Sequence, residues 1–138
     1  MPGHRVLLEG PLGVGKTTFS RTLLETLGVV QPPEGSPSFA IAHEYVSQRG
    51  EVIHLDFYRI RHEAEIEEAG IEAYFWERNA IVVAEWTSLW PAFEASVINS
   101  GEGMVWKVEL AFADSGPSRR TVRVQRLRFS GFHFRELF

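Results

Sequence analysis

Hydrophobic and polar positions at the beginning of the chain predict a strand followed by a helix. The apolar run at residues 6–8 is typical of a short β-strand. Phe19, Leu23 and Leu27 then recur every fourth residue, which predicts an amphipathic helix with one apolar face. Gly28 is expected to end this helix as its C-terminal cap. The pattern therefore predicts a helix that packs on a sheet.

A loop and a hairpin are predicted next. Residues 29–38 are rich in proline, which forbids a helix and predicts an exposed, partly extended loop that is a candidate mobile lid. Residues 39–46 and 52–57 have strand patterns separated by a turn centred on Gly50, so they are expected to form an antiparallel hairpin. Asp56 falls at the far end of its second strand.

The middle of the chain predicts two short helices and a buried strand. Residues 61–77 are acidic and compatible with a helix that is interrupted at Gly70. Residues 80–85 form a continuous apolar run that ends in an acid, which is typical of a central strand in a mainly parallel sheet. Residues 86–91 are expected to be a loop and residues 92–97 a short helix.

The C-terminal part predicts an antiparallel hairpin. Residues 106–112 alternate apolar and polar side chains, and a polar turn connects them to a second strand at residues 121–129. Apolar positions change face between Val124 and Leu127, so a bulge is expected near Gln125.

Composition narrows the possible classes of protein. The chain has 138 residues, 44% of them apolar, which suffices for a single domain over residues 1–138 with its own core. A formal net charge of −4 argues against binding bulk nucleic acid by charge alone. There is no cysteine, and no apolar run approaches the roughly 20 residues of a membrane span. We expect a cytoplasmic protein that does not enter a membrane.

Charge is distributed unevenly, with an acidic middle and a basic C-terminal end. The basic end is either a face for RNA or an acidic partner, or the solvated side of an edge hairpin, and the second interpretation is favoured. The acidic residues are Glu63, Glu65, Glu67, Glu68, Glu72 and Glu77, and the basic residues are Arg119, Arg120, Arg123, Arg126, Arg128 and Arg135.

The loop after the first strand has the phosphate-binding P-loop pattern, G-x-x-x-x-G-K-[ST]. Its glycines let the backbone turn with N–H groups pointing inwards around a polyphosphate, and the following helix adds its N-terminal N–H groups. Lys16 is expected to reach the outer phosphates and the Thr17 hydroxyl to bind Mg²⁺. The alternative is a glycine-rich turn that binds nothing. The predicted nucleotide-binding residues are Gly10, Pro11, Leu12, Gly13, Val14, Gly15, Lys16, Thr17 and Thr18.

Asp56 and Glu85 are the acids predicted to lie near the metal ion. Each ends an apolar strand, and α/β sheets bind their ligands at the carboxyl ends of strands. With Thr17 they are expected to hold Mg²⁺, mostly through water, and one of them could orient an attacking water. The alternatives are a solvent-facing acid for Glu85 and a turn cap for Asp56. The predicted catalytic residues are Lys16, Asp56 and Glu85.

Two histidines lie on the predicted hairpin. His54 shares a strand face with Asp56 and could hydrogen-bond to it or contact the nucleotide. The favoured interpretation for both His54 and His43 is a histidine that simply satisfies a neighbouring group. No pair of histidines has a spacing typical of zinc.

Several separate stretches add to the P-loop a pattern of order and approximate spacing. They are residues 10–18, 36–39, 43–45, 54–60, 68–70, 74–75 and 85–86. Two of them contain the elements S-P-[ST]-F and H-x-D-x-Y-R, which are more specific than the P-loop, since many families share the latter. Together these stretches resemble the TsaE (YjeE) family. The resemblance agrees with an α/β fold class: a P-loop NTPase-like, mainly parallel sheet with added antiparallel strands and flanking helices.

The resemblance implies a P-loop ATPase of low turnover that uses ATP/ADP and Mg²⁺ and supports threonylcarbamoyladenosine formation in tRNA. It implies TsaD- and TsaB-like partners, where TsaD transfers the threonylcarbamoyl group and ATP hydrolysis resets the complex that contacts tRNA. Lys16 would contact the phosphates, while Thr17, Asp56 and Glu85 would surround Mg²⁺. Residues 36–39 would form a switch-like loop that responds to the γ-phosphate.

The sequence departs from the family pattern in two places near this site. Thr87 stands where the family has proline, so the loop after Glu85 is expected to be less rigid. Family members carry a leader that helps to hold the base, whereas this sequence reaches the first strand almost at once, so we expect the phosphates to be held more firmly than adenine. Trp86 is expected to lie beside the site.

Two other function classes stay open. A small-molecule or nucleotide kinase would need an acceptor pocket and an arginine-bearing lid, and no inserted segment of that kind is evident in the sequence. A nucleotide-binding interaction module without useful hydrolysis would share the same P-loop.

Overall fold

The computed structural model describes residues 3–30, 42–99 and 103–128. The elements in chain order are β1 (His4–Glu9), α1 (Lys16–Thr26), β2 (Ala42–Ser47), β3 (Gly50–Asp56), α2 (Ala64–Glu68), α3 (Ile71–Trp76), β4 (Ile81–Glu85), a 3₁₀ turn (Thr87–Leu89), α4 (Pro91–Asn99), β5 (Met104–Phe112) and β6 (Arg120–Arg128).

Six strands form one mixed sheet in the order β2-β3-β4-β1-β5-β6. The four inner strands β3, β4, β1 and β5 run parallel to one another, and the two edge strands pair antiparallel to their neighbours. This confirms the predicted α/β class with a parallel sheet extended by antiparallel hairpins. Because the inner strands are parallel, their carboxyl ends meet at one edge of the sheet.

Both faces of the sheet are buried, as the apolar run of β4 predicted. Val82 and Ala84 belong to the cluster that includes Phe75 of α3 and Phe93 of α4. Ile81 and Val83 belong to the cluster on the other face, which α1 covers. All residues of β4 are buried, because helices cover both sides of this central strand.

Helix α1 packs on the sheet through the predicted stripe, in which Leu27 is buried and Phe19 and Leu23 pack on the core, and it also buries a second, mostly polar stripe. The buried helical residues are Lys16, Ser20 and Leu24, whereas Phe19 and Leu23 are only partly buried. The prediction followed hydrophobicity alone and did not include Lys16 and Ser20, which face the carboxyl edge of the sheet. Gly28 ends the helix as predicted: its φ is 90° and its N–H donates to the Glu25 carbonyl at 3.0 Å.

The hairpin of β2 and β3 and the two short helices α2 and α3 confirm the predictions, with Gly70 (φ 67°) between the helices. Most of the predicted loop at residues 29–38 and the start of the predicted strand at residues 39–46 lie outside the described residues. Helix α4 is longer than expected, because Pro91 fits the first turn of a helix rather than ending the loop before it.

The C-terminal hairpin is also confirmed, with its bulge two residues beyond the predicted position. Val105 pairs with Arg128 and Trp106 with Arg126, which leaves Leu127 as the extra residue, while Gln125 pairs regularly with Lys107.

Arg120, Arg123 and Arg126 are exposed on this edge strand, in agreement with the favoured interpretation of the basic end. Within the described residues, no helix combines the length and apolar character needed to cross a membrane.

Candidate functional site

The predicted site residues meet at the carboxyl edge of the sheet. Asp56 and Glu85 end the adjacent parallel strands β3 and β4 and are register partners, and Glu85 is also opposite Leu8 of β1. A cleft of about 440 Å³ opens beside them. It is lined by Leu12, Gly13, Gly15, Lys16, Thr17, Thr18, Asp56, Tyr58, Arg59, Glu85 and Trp86.

The loop between β1 and α1 has the shape of an anion cradle. Gly10 packs so closely on β5 that a Cβ there would lie 2.5 Å from the Leu110 carbonyl oxygen. Gly15 has φ 112°, a left-handed conformation that other residues rarely adopt, and precedes α1 without a side-chain cap. A Cβ on Gly13 or Gly15 would meet nothing within 4 Å among the described residues, so the inside of the loop is open.

Lys16 lies at the floor of this cleft and is 5% exposed. Its Nζ donates to the carbonyls of Gly10 at 2.5 Å and Pro11 at 3.0 Å, and lies 3.9 Å from the centre of the Trp86 ring. Burial lowers the pKa of Lys16 below its ordinary value, and the nearby negative charges of Glu85 and Asp56 oppose that shift. A cation in this position is available to an anionic ligand.

Asp56 is half-buried at the end of β3. Its Oδ1 accepts a hydrogen bond from the Tyr58 backbone N–H at 2.9 Å, which fixes the carboxylate as in an Asx turn. Burial raises the pKa of Asp56 above its ordinary value, the Tyr58 N–H opposes this change, and the charge of Glu85 adds to it. Asp56 therefore caps the turn and also lines the cleft.

Glu85 is 1% exposed and is held by a buried histidine. His54 Nε2 lies 2.6 Å from Glu85 Oε2, so His54 donates this hydrogen bond. His54 Nδ1 is buried and has no hydrogen-bond partner among the described residues, so the bond from Nε2 to Glu85 orients the ring. Ser20 Oγ, which donates to the Lys16 carbonyl at 2.9 Å, lies 3.4 Å from the same carboxylate oxygen.

The favoured interpretation of both histidines is confirmed. His54 satisfies a neighbour, but that neighbour is Glu85 on the next strand and not Asp56 on its own strand. His43 Nδ1 lies 3.2 Å from the Tyr45 hydroxyl on the same strand.

Trp86 lies beside the site, as expected, and has an unusual backbone. It is the only non-glycine residue with positive φ (66°) among the described residues, a conformation that costs about 1–2 kcal/mol. Its ring packs on Tyr58, with ring centres 4.9 Å apart, and on the Lys16 cation. Strain of this kind persists where the surroundings over-determine the conformation.

The turn after Trp86 is anchored, contrary to the less rigid loop expected from Thr87. Thr87 is buried and its hydroxyl donates to Glu94 of α4 at 2.6 Å. Lys107 Nζ binds the other oxygen of Glu94 at 3.1 Å and Glu9 at 3.2 Å. A side-chain network thus holds this turn, at the position where the family pattern has a rigid proline.

Most of the predicted nucleotide-binding residues line the cleft, and three do not. Gly10 and Pro11 contribute carbonyl acceptors to Lys16, and Val14 is buried, with its carbonyl facing Arg120 of β6. The switch-like loop predicted at residues 36–39 lies outside the described residues. Tyr58 and Arg59 also line the cleft, and the H-x-D-x-Y-R element could have identified both.

Comparison with known proteins agrees with this geometry. The family model "Threonylcarbamoyl adenosine biosynthesis protein TsaE" matches residues 1–118. The chain is similar to proteins named tRNA threonylcarbamoyladenosine biosynthesis protein TsaE from three bacteria. The Bacillus subtilis protein is 40% identical over 88 residues, which cover 64% of this chain and 53% of that protein.

The other two relatives extend this similarity. The Nostoc protein is 35% identical over 118 residues, covering 83% of this chain and 66% of that protein. The Haemophilus influenzae protein is 37% identical over 82 residues, which cover 59% of this chain and 51% of that protein. The chain thus spans between one half and two thirds of the length of these curated relatives. Since the family model covers most of the sequence and the P-loop, Asp56 and Glu85 meet in one cleft, the chain belongs to the TsaE family of threonylcarbamoyl adenosine biosynthesis proteins.

Proposed function

We propose that this chain is a cytoplasmic ATPase of low turnover that binds ATP with Mg²⁺. It would act with TsaD- and TsaB-like proteins in tRNA threonylcarbamoyladenosine formation. One observation supports the proposal above all. Lys16, Asp56 and Glu85, which are distant in sequence, line one cleft at the carboxyl ends of adjacent parallel strands.

The P-loop would hold the phosphates of ATP. Backbone N–H groups of the loop and of the first turn of α1 surround an opening without side chains at Gly13 and Gly15. Lys16 Nζ would exchange its contacts with the Gly10 and Pro11 carbonyls for phosphate oxygens, which bind an ammonium more strongly because they are charged.

Thr17, Asp56 and Glu85 would hold Mg²⁺. Hydroxyl and carboxylate oxygens are the ligands that this ion prefers, and the two acids end neighbouring strands. The described residues contain no cluster of three or more acidic or histidine side chains able to hold a metal alone, so phosphate and water oxygens would complete the set. When bound, the ion would neutralise charge on the phosphates.

The reaction would transfer the γ-phosphoryl group to water. Positioning and charge neutralisation account for most catalysis of phosphoryl transfer, with little covalent work for the protein. Glu85, oriented by His54, would direct the attacking water, and Lys16 would stabilise negative charge on the transferred group. Asp56 would orient the waters around the metal.

The partners follow from membership of the family and not from a surface of this chain. The matched relatives are named tRNA threonylcarbamoyladenosine biosynthesis proteins. In the proposed cycle, TsaD transfers the threonylcarbamoyl group to adenosine, and ATP binding and hydrolysis by this chain reset the complex of TsaD and TsaB. Contact with tRNA would arise within that complex.

The test is ATP hydrolysis by the purified chain with and without TsaD and TsaB. Wild type, Lys16→Ala and Glu85→Ala are compared with Arg49→Ala, a control at an exposed arginine in the β2–β3 turn at the opposite end of the sheet. We expect turnover that depends on the partners, is lost in both site variants and is retained in the control.

Three results would contradict the proposal in different ways. Unchanged turnover in Lys16→Ala would exclude the P-loop mechanism. Tight ATP binding without turnover, even with both partners, would indicate a nucleotide-binding interaction module. Phosphorylation of an added nucleoside or sugar would indicate a kinase.

A further inference from the structure

The C-terminal hairpin contacts the back of the P-loop through one side chain. Arg120, the first residue of β6, donates a hydrogen bond from Nε to the backbone carbonyl of Val14 at 2.8 Å. Arg120 does not line the cleft. It therefore touches the P-loop from outside, where it would not contact a ligand held inside the loop.

Contacts other than the bond to Val14 also fix the guanidinium of Arg120. Its Nη1 donates to the carbonyls of Pro117 at 2.5 Å and Arg119 at 3.1 Å, both in the turn of the hairpin. Its Cζ lies 4.4 Å from the centre of the Phe112 ring on β5. These contacts restrict a long side chain that would otherwise lose much rotamer freedom on binding a carbonyl.

The Val14 carbonyl shares a peptide plane with the N–H of Gly15. In a trans peptide these two groups point in opposite directions, and the described residues contain no cis peptide. Gly15 lines the cleft, whereas Arg120 draws the Val14 carbonyl away from it. An outward carbonyl on Val14 therefore means an inward N–H on Gly15, directed at the space inside the loop.

Val14 is fixed on its other side as well. Its side chain is 1% exposed, and its own N–H donates to the Pro11 carbonyl at 3.2 Å. Glycine at position 15 leaves the following backbone free to rotate, since it can adopt many φ and ψ values. The hydrogen bond from Arg120 thus restrains the Val14–Gly15 peptide, which the glycine itself does not restrain.

We propose that Arg120 is a positioning residue for phosphate binding, which holds the Val14–Gly15 peptide so that the Gly15 N–H points into the P-loop. This role rests on the proposed function, because the ligand it prepares for is the phosphate chain of a nucleotide. Donors that are oriented before binding need no reorganisation when the anion arrives. The hairpin is then part of the nucleotide site although it lies outside the cleft.

A general attraction between arginine and nucleotide is the competing explanation, and two variants separate it from positioning. Arg120→Lys keeps the positive charge but loses the planar Nε–H donor and its fixed geometry. Arg123→Gln removes a charge from the same strand at an exposed side chain, whose Nη1 lies 4.0 Å from Glu109 in an ion pair. Positioning predicts that the first variant binds nucleotide more weakly than the second.

The experiment measures MgADP affinity by calorimetry for wild type, Lys16→Ala, Arg120→Lys, Arg120→Met and Arg123→Gln. We expect affinity to fall by about tenfold in both Arg120 variants, as for loss of one charge-assisted hydrogen bond, and by less than about twofold in Arg123→Gln. With partner proteins present, KM for ATP should rise and kcat should stay near the wild-type value. In ¹⁵N-labelled protein without ligand, the Gly15 amide resonance should move in Arg120→Lys.

The outcomes separate this inference from the proposed function. No MgADP binding by wild type would overturn both. Wild-type binding that Lys16→Ala abolishes but Arg120→Lys leaves unchanged would overturn the inference alone. Weaker binding in Arg120→Met and Arg123→Gln, with Arg120→Lys at the wild-type affinity, would show attraction by charge and not positioning. If Arg120→Met does not fold, the lysine variant and the Gly15 resonance still decide the question.

Discussion

Two buried cations lie at the two ends of β1, and their surroundings differ. Arg5 is 7% exposed near the start of the strand, and Lys16 is 5% exposed just beyond its end. Arg5 donates to the carbonyls of Gly3 and of Phe75, the latter in the last turn of α3. Lys16 also donates to two carbonyls, yet it faces an open cleft with two acids.

The comparison shows that burial of a charge does not by itself identify a functional site. The contact of Arg5 with Phe75 satisfies a carbonyl that every helix end leaves without a partner, so its role is to join α3 to the sheet. The Lys16 contacts are with loop carbonyls that a phosphate could replace. Arg5 also lines a cleft, of about 380 Å³. The two acids at the strand ends beside Lys16, and neither burial nor a cavity, therefore distinguish the candidate functional cation from the structural one.

The largest expected effect concerns Lys16. Lys16→Ala should weaken MgADP binding by about 100-fold or more, because one preorganised donor to a phosphate is removed from a partly desolvated site. Its melting temperature should stay close to that of wild type, because water in the cleft can reach the freed carbonyls. Calorimetry measures the MgADP affinity, and thermal unfolding measures the melting temperature. A large fall in the melting temperature of Lys16→Ala would contradict the distinction between Lys16 as a functional cation and Arg5 as a structural one.

The second prediction is the converse change at Arg5. Arg5→Leu should lower the free energy of unfolding by about 2–3 kcal/mol, because the Phe75 carbonyl loses its charged donor in a buried position. MgADP affinity should remain within about twofold of wild type, as the substitution lies at the far end of β1. Urea unfolding and binding under native conditions provide the measurements. Arg5→Lys, which keeps a charge and one donor, should lose less stability.

The third prediction concerns the histidine that orients Glu85. His54→Leu should lower kcat of partner-dependent hydrolysis by about tenfold, with little change in MgADP affinity, because Glu85 loses one hydrogen bond but stays in the cleft. His54→Gln, whose amide can donate from nearly the same position, should recover part of this loss. Steady-state kinetics separate kcat from KM. Equal kcat in the leucine and glutamine variants would argue against an orienting role.

The smallest expected effect is the pH dependence of Asp56. Its pKa is raised in the folded protein, mainly by burial, so Asp56 contributes stability below its unfolded pKa and loses that contribution as pH rises through its folded pKa. At neutral pH the ionised side chain therefore destabilises the unliganded protein. Asp56→Asn should raise the melting temperature by about 2 °C near neutral pH, and the gain should shrink as pH falls towards 4.

Activity should show the opposite response at the same residue. Because the proposed Mg²⁺ site needs the ionised Asp56 carboxylate, hydrolysis by wild type should decline on acidification, and the raised pKa of Asp56 should move this decline to higher pH. The Asp56→Asn variant should be slow at every pH. A difference in melting temperature between the two proteins that does not change with pH would show that burial of the ionised Asp56 does not destabilise the fold.

Residues near each other in sequence were easier to predict than contacts between distant ones. Asp56 and Glu85 were identified because each follows an apolar strand, and parallel strands bring their carboxyl ends together. The partner of His54 was missed, since alternation along β3 pointed to Asp56 and the bond instead crosses to β4. The apolar stripe of α1 was identified, but the burial of Lys16 and Ser20 was missed, because both are polar and their burial depends on the cleft above them.

Sequence alone determined the P-loop, the capping glycine of α1, the central strand β4 and the acids at the strand ends, because each depends on local periodicity or on backbone freedom. Only the tertiary structure decided that His54 holds Glu85, that Thr87 is tied to α4 and that Arg120 restrains Val14. The Arg120 contact joins positions that are far apart in the chain. No local pattern encodes such a contact, since it depends on how the hairpin folds back onto the sheet.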